Sequence, residues 1–232
     1  MNNNIDSKIP KATVMGSYSY GWQQMWKYFL HFFLILIIVG LVSTPVSFLQ
    51  DYESLGDPGM IMLQLFAAAY FFLIVPVIDF GSDLIYLRGI RNEKIDFAEL
   101  IVGFKKNYLN IILANLLVFA IIGLGFVFLI VPGIILACRL SFVTFLVMDK
   151  DMDPVAAVEK SWSMTRGYGW KVFGLFLLAI PIFFGGVICF IVGALFAVIW
   201  IQASLTALYH AVDLEDQKKI LDDSANTQSL AD

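Results

Sequence analysis

Long apolar runs alternate with short polar breaks along this chain, and the runs are too long and too unbroken for amphipathic helices of a soluble core. Six membrane helices are expected. The first runs roughly from Trp26 to Leu49, the second from Met60 to Leu87 and the third from Tyr108 to Ile130. The fourth runs from Ile134 to Met148, the fifth begins at Trp170 and the sixth ends near His210. Val131-Pro132-Gly133 predicts a tight outer turn between the third and fourth, because Pro and Gly together punctuate a helical run. The turn between the fifth and sixth is expected within Gly185 to Gly193. Closed helices are required, since lipid satisfies no backbone polar group. The expected fold is therefore all-α: a polytopic membrane bundle at 26–212, with a leader at 1–25 and a polar tail at 213–232.

Three shorter segments have amphipathic patterns. Asp153 to Arg166 opens with an N-cap type and Pro154, and ends with Arg166 and Gly167 at positions that suit a helix C-terminus. Val155, Val158 and Trp162 make its apolar stripe. Asp96 to Lys106 places Phe97, Leu100, Ile101 and Phe104 on one face. Pro10 to Tyr20 is the third and weakest. All three are expected to lie flat as a cytoplasmic collar, too short to span ~30 Å of hydrocarbon. Each feeds a membrane helix through a similar aromatic junction: Tyr20-Gly21-Trp22, Asn107-Tyr108 and Tyr168-Gly169-Trp170. A threefold repeat of short helix plus hairpin is the corresponding expectation. Recurrent aromatic anchors at membrane boundaries explain the same pattern without a repeat.

Composition agrees with the pattern. Hydrophobic residues make up 59% of the 232, well above the ~45–50% of soluble domains, and 21 are Phe. The distribution of charge changes the picture further. Of the 15 Lys and Arg, all but Arg139 fall before the first run, in the second and fourth breaks, or after the last run. The break from Gln50 to Gly59 holds acids and no base. By the positive-inside rule this predicts a multi-pass membrane protein with both termini in the cytoplasm. The net charge of −4 is spread over tails and loops and implies no nucleic-acid partner. Cys138 and Cys189 lie in apolar runs and are expected to be small buried hydrophobes. No cleavable signal is expected, because the first run follows a polar leader and is too long for a signal core. The tail from Leu214 is expected to begin as a frayed helical extension and to end disordered.

The stretch from Val131 through Pro132, Gly133, Arg139 and Ser141 to Phe142 is followed by Asp149-Lys150-Asp151. Next comes an amphipathic segment holding Ala156, Ser161, Trp162, Thr165, Arg166 and Gly167. Together these resemble a broad bacterial family of uncharacterised six-helix membrane proteins. That family includes the membrane domain fused to some glycerophosphoryl diester phosphodiesterases. Gly89 and Gly103-Phe104-Lys105 look like the family's second break, while Leu140 stands where an aromatic is common. The resemblance implies fold and topology and is nearly silent on activity. It does not extend to the fused catalytic domain, so that domain's chemistry is not implied.

Candidate chemistry is sparse. Asp79, Asp83 and Arg139 are charged residues inside or near apolar runs, which are costly in lipid. Asp79 and Asp83 share a helix face. Counting inward from Arg88 and from Asp149 puts Asp79 at ~14 Å and Arg139 at ~15 Å depth, so the two could pair. A helix starting at Met60 would instead surface near Asp79 after ~20 residues. The trio is read either as a fold-stabilising pair or as a ligand or proton site. Metal spacings, nucleophile elbows and dinucleotide or phosphate loops are missing from the sequence, so no cofactor, metal or enzyme activity is expected. The expected role is a non-enzymatic membrane protein that is structural, lipid-interacting or partner-binding, with membrane lipids and a membrane-protein partner or second copy as partners. The alternative is a small transporter or permease component using Asp79, Asp83 and Arg139.

Overall fold

A computed structural model of the chain describes residues 10–50 and 58–229. They form eleven helices and no strand among the described residues. In chain order these are α1 (Val14–Lys27), α2 (Phe29–Gln50), α3 (Pro58–Leu73), α4 (Val75–Ile90), α5 (Glu99–Lys105) and α6 (Tyr108–Phe128). Then follow α7 (Ile130–Leu140), α8 (Val143–Lys150), α9 (Pro154–Met164), α10 (Gly169–Ile188) and α11 (Phe190–Ser229). Five stretches are long and apolar enough to cross a membrane, or six if the broken pair at Val14–Lys27 and Phe29–Thr44 counts as one. Most of this apolar surface is not covered by protein: only 11% of the apolar stretch of α10 and 22% of that of α6 is buried. Such faces need lipid as their solvent. The acidic break at 51–57 and the first nine residues of the leader lie outside the described residues.

Several expected boundaries move, each for a local reason. The second run divides at Ile74, because Pro76 has no N–H to bond back to the carbonyl of Phe72. The first run starts later than expected, since α1 continues to Lys27 and the break falls at Tyr28. Pro132 and Gly133 do not make the outer turn. A single extended residue, Leu129, turns the chain, and Pro132 sits in the first turn of α7, where a missing donor is harmless. Gly133 serves packing instead. A Cβ there would lie 2.6 Å from the Phe126 ring, so glycine lets α7 press against α6. The last turn lies at Cys189, inside the expected stretch, with Gly186 and Gly193 in backbone contact across it. Cys189 is exposed there rather than buried; Cys138 is buried. The tail is helical through Ser229, and residues 230–232 lie outside the described residues.

The chain folds as two compact units: Tyr28–Trp162, and Met1–Lys27 with Ser163–Asp232. In the first, α4 is the hub. It is buried along nearly its whole length and packs against α2, α5, α6 and α8. Gly81 admits the backbone of Leu100 at the start of α5, and Phe32 stacks on Tyr86 at 4.4 Å between ring centroids. In the second unit α1 and α10 both pack along α11. Gly21 meets Ser204, Trp22 packs on Trp200 at 4.7 Å, and Trp26 reaches Phe196, so α1 runs antiparallel to α11. This departs from the flat lay expected of the first amphipathic segment. The helix cannot lie in the membrane plane along a partner that crosses it.

Candidate functional site

α9 docks by the face opposite to its apolar stripe, whereas α5 buries one member of its stripe, Leu100, together with Gly103. In α9 the buried residues are Ala157, Ser161 and Met164, while Val155 and Trp162 are exposed. In α5 Leu100 and Gly103 are buried, and Phe97, Ile101 and Phe104 face outward. Most of each stripe, expected at the headgroup boundary or over the inner end of the bundle, is thus the outer face. The physical reason is steric: small residues permit close backbone approach, whereas aromatic side chains hold helices apart. Gly103, for example, has Ile111 and Val77 side chains where a Cβ would project.

Arg139 meets the motif of α9. The Ser161 hydroxyl donates to the Arg139 carbonyl at 2.7 Å, and the guanidinium stands 5.3 Å from the centre of the Trp162 ring, within cation–π range. Two sets of residues singled out separately in the sequence are therefore one contact. No ion pair joins Asp79 to Arg139 among the described residues. α7, which carries Arg139, packs on α6, whereas α4, which carries Asp79 and Asp83, packs on α8. The Ser82 hydroxyl donates to the Asp79 carbonyl oxygen, not to its carboxylate. Of the remaining motif residues, Gly167 has φ +92°, the left-handed conformation expected of a helix C′ glycine, and Arg166 is exposed.

The densest polar arrangement was read in the sequence only as a topology signal. At one end of Tyr28–Trp162 the last turns of α4 and α8 meet α5 and the start of α6. Arg91 grips Asp149 with two hydrogen bonds, at 2.5 and 2.8 Å. Arg88 donates to Glu99 at 3.2 Å and also pairs with Glu93. Asp151, in left-handed backbone conformation at the end of α8, accepts from Lys106 at 2.6 Å and from the Asn107 amide at 2.7 Å. Hydrogen bonds from Lys106 and then Asn107 hold the Asp151 carboxyl below its ordinary range. Burial lifts that of Glu99, partly offset by the Arg88 guanidinium. Arg88, Glu99, Lys106, Asn107, Asp149 and Asp151 line a cleft of about 210 Å³, together with Leu84, Val102 and Met148. The sequence signal was available: acids sit among the bases at 88–107 and again at 149–151.

The described residues hold no group of three or more His, Cys, Asp or Glu placed to bind a metal. No family model matches the chain, and neither do curated proteins or solved structures.

Proposed function

We propose that this is a non-enzymatic membrane protein whose role is to bind lipid at one membrane interface and to present that interface to other components of the envelope. The observation that carries this is the docking of α5 and α9. Each turns large apolar side chains outward, Ile101 and Phe104 in one and Val155 and Trp162 in the other. Each also carries basic residues at or just after its end, Lys105 and Lys106 or Arg166. An apolar stripe beside cations is the composition that settles at the headgroup boundary. The resemblance to the bacterial six-helix family rests on the motif residues, and the contact of Arg139 with Ser161 and Trp162 gives those residues a joint structural role.

Spin labels in lipid nanodiscs test this. Labels at Ile101, Phe104 and Val155 should be reached by oxygen more than by a water-soluble nickel chelate. Labels at Leu100 and Ala157 should be shielded from both. Nickel access along the outward stripes equal to that at Glu159 would defeat the proposal. The asymmetry of the bases supports placing this end, with both termini, in the cytoplasm of a bacterial cell. Outer-face labelling should then modify Ser54→Cys and spare Ser224→Cys in intact cells; the opposite pattern reverses the orientation.

A transport role for Asp79, Asp83 and Arg139 has less support. Among the described residues Asp79 makes no ion pair with Arg139, and the charged cleft is lined by none of the three.

A further inference from the structure

The charged cleft carries both signs, and its two ends differ. Glu99 and Asp149 are deep in it, with side chains 19% and 11% exposed. Lys106 and Asp151 form its mouth, at 62% and 50%. Asp149 is already held by Arg91, and one Glu99 oxygen takes the Arg88 hydrogen bond. The other Glu99 oxygen, Oε2, is buried and has no hydrogen-bond partner. A buried carboxylate oxygen without a donor is costly, and a volume of about 210 Å³ is far more than the ~10–15 Å³ that one water requires. The depths of the cleft therefore lack a hydrogen-bond donor, preferably a cationic one. At the mouth the need is opposite. The Lys106 ammonium has three N–H donors and gives one to Asp151, so it can still serve an anion.

We propose that this cleft binds a primary ammonium joined by a short linker to a phosphate, with the ammonium on Glu99 Oε2 and the phosphate at Lys106, and that the group is the headgroup of an aminophospholipid. The polarity of the cleft sets this order. In such a lipid the ammonium is the far end and the phosphate lies nearer the acyl chains. An amine-first entry leaves the acyl chains outside the mouth, clear of the charged lining. The inference rests on the lipid-binding reading above and adds to it a headgroup class. A trimethylated headgroup has no N–H to give, so Glu99 Oε2 would stay unsatisfied; this is discrimination against an analogue that lacks the donor.

Native mass spectrometry of the full chain, released from detergent with added phosphatidylethanolamine or phosphatidylcholine, tests the assignment. The wild type should retain the ethanolamine lipid ~10-fold more than the choline lipid, the ratio expected from one charge-assisted hydrogen bond. Glu99→Gln should bring that ratio near one, whereas Lys218→Gln, outside the cleft and both apolar stripes, should leave it unchanged. Should Glu99→Gln fail to fold, Lys106→Gln supplies the second reading: weaker retention of both lipids with the preference for ethanolamine kept. Equal retention of the two lipids by the wild type overturns the proposal, even where the spin labels place α5 and α9 at the interface. Stabilisation by soluble phosphorylethanolamine, without any discrimination between lipids, overturns the lipid as the source of the headgroup.

Discussion

α4 and α11 are each the central helix of a unit, and they are held by different means. α4 meets its neighbours through large apolar side chains such as Ile85, Tyr86, Leu87 and Ile90, and the charges that tie it down lie in its last turn and the residue after it. There Arg88 and Arg91 join it to α5 and α8 through carboxylates. α11 meets its neighbours through small and hydroxyl residues, Ala197, Ala203, Ser204, Ala207 and Ala211, beside the large buried side chains of Ile199, Leu208 and Tyr209. Its buried hydroxyls bond back within the helix, Ser204 to the Trp200 carbonyl and Thr206 to that of Gln202, so they need no partner on a neighbouring helix. α1 answers with Gly21 at the contact and with Ser17 and Gln24 on the same face, both carrying a buried oxygen without a hydrogen-bond partner. In apolar surroundings, burying more hydrocarbon gives little advantage over lipid. Association must come from close approach or from polar contacts. Both units use close approach, at Gly81 against Leu100 and at Gly21 against Ser204, and the first adds charge at its helix ends.

The largest effect should come from breaking the charge device. Arg91→Leu strands the Asp149 carboxylate, 11% exposed, at the end of α8. Loss of one partner of a buried pair costs about 3 kcal/mol or more, because the remaining charge keeps its desolvation penalty. Arg91→Leu together with Asp149→Leu should cost less than the two single changes added. Unfolding by SDS in mixed micelles reads the difference, and strict additivity would show that the pair does not act as one unit.

What was legible in the sequence follows from the same contrast. The apolar runs and the one-sided bases were visible, since both are counted directly along the chain. The all-helical fold, with five or six stretches able to cross a membrane, and the Cys189 turn followed from them. Faces were not legible. Val155, Val158 and Trp162 make an obvious stripe, but the stripe alone leaves open whether it meets the headgroup boundary or the inner end of the bundle. Where lipid is the alternative, the buried face can be the small one, here Ala157 and Ser161. Depth counting for Asp79 and Arg139 reads only one coordinate. It measures height along each helix and says nothing of which helices are neighbours, and α7 packs on α6 rather than α4. The cleft was missed because its charges had already been explained as topology determinants.

A smaller effect should come from filling the close contact of the second unit. A Cβ on Gly21 would lie 2.8 Å from the Ser204 backbone nitrogen and 2.9 Å from its Cα, atoms that cannot turn aside. A Cβ on Gly103 meets only Ile111 and Val77 side-chain ends at close range, and these can rotate. Gly21→Ala should therefore cost about 1–3 kcal/mol as α1 is pushed from α11, and Gly103→Ala clearly less. The same SDS titration orders them. A costlier Gly103→Ala would mean that α5 is held as tightly by proximity there as α1 is at Gly21.

The smallest effect concerns a place where α11 does use charge. Just before α10, the Tyr168 hydroxyl donates to the Glu215 carboxylate on the extension of α11, and Lys171 lies 4.4 Å over the Tyr168 ring. The hydrogen bond to Glu215, then burial, pushes the phenol up to about 12. An unfolded tyrosine titrates near ~10. Below pH ~10 both states hold the proton and the contact contributes in full. Between ~10 and about 12 the unfolded chain loses its proton first, so stability falls as pH rises through that window. Tyr168→Phe should cost no more than ~1 kcal/mol at neutral pH, since the group is largely solvated, and should remove part of the alkaline loss. Phenolate absorbance of the folded protein, wild type minus Tyr168→Phe, should show one tyrosine ionising near the top of that window. A difference spectrum centred near ~10, the ordinary tyrosine value, would mean that the Glu215 contact does not hold the proton, and that the extension of α11 is not tied down at Tyr168.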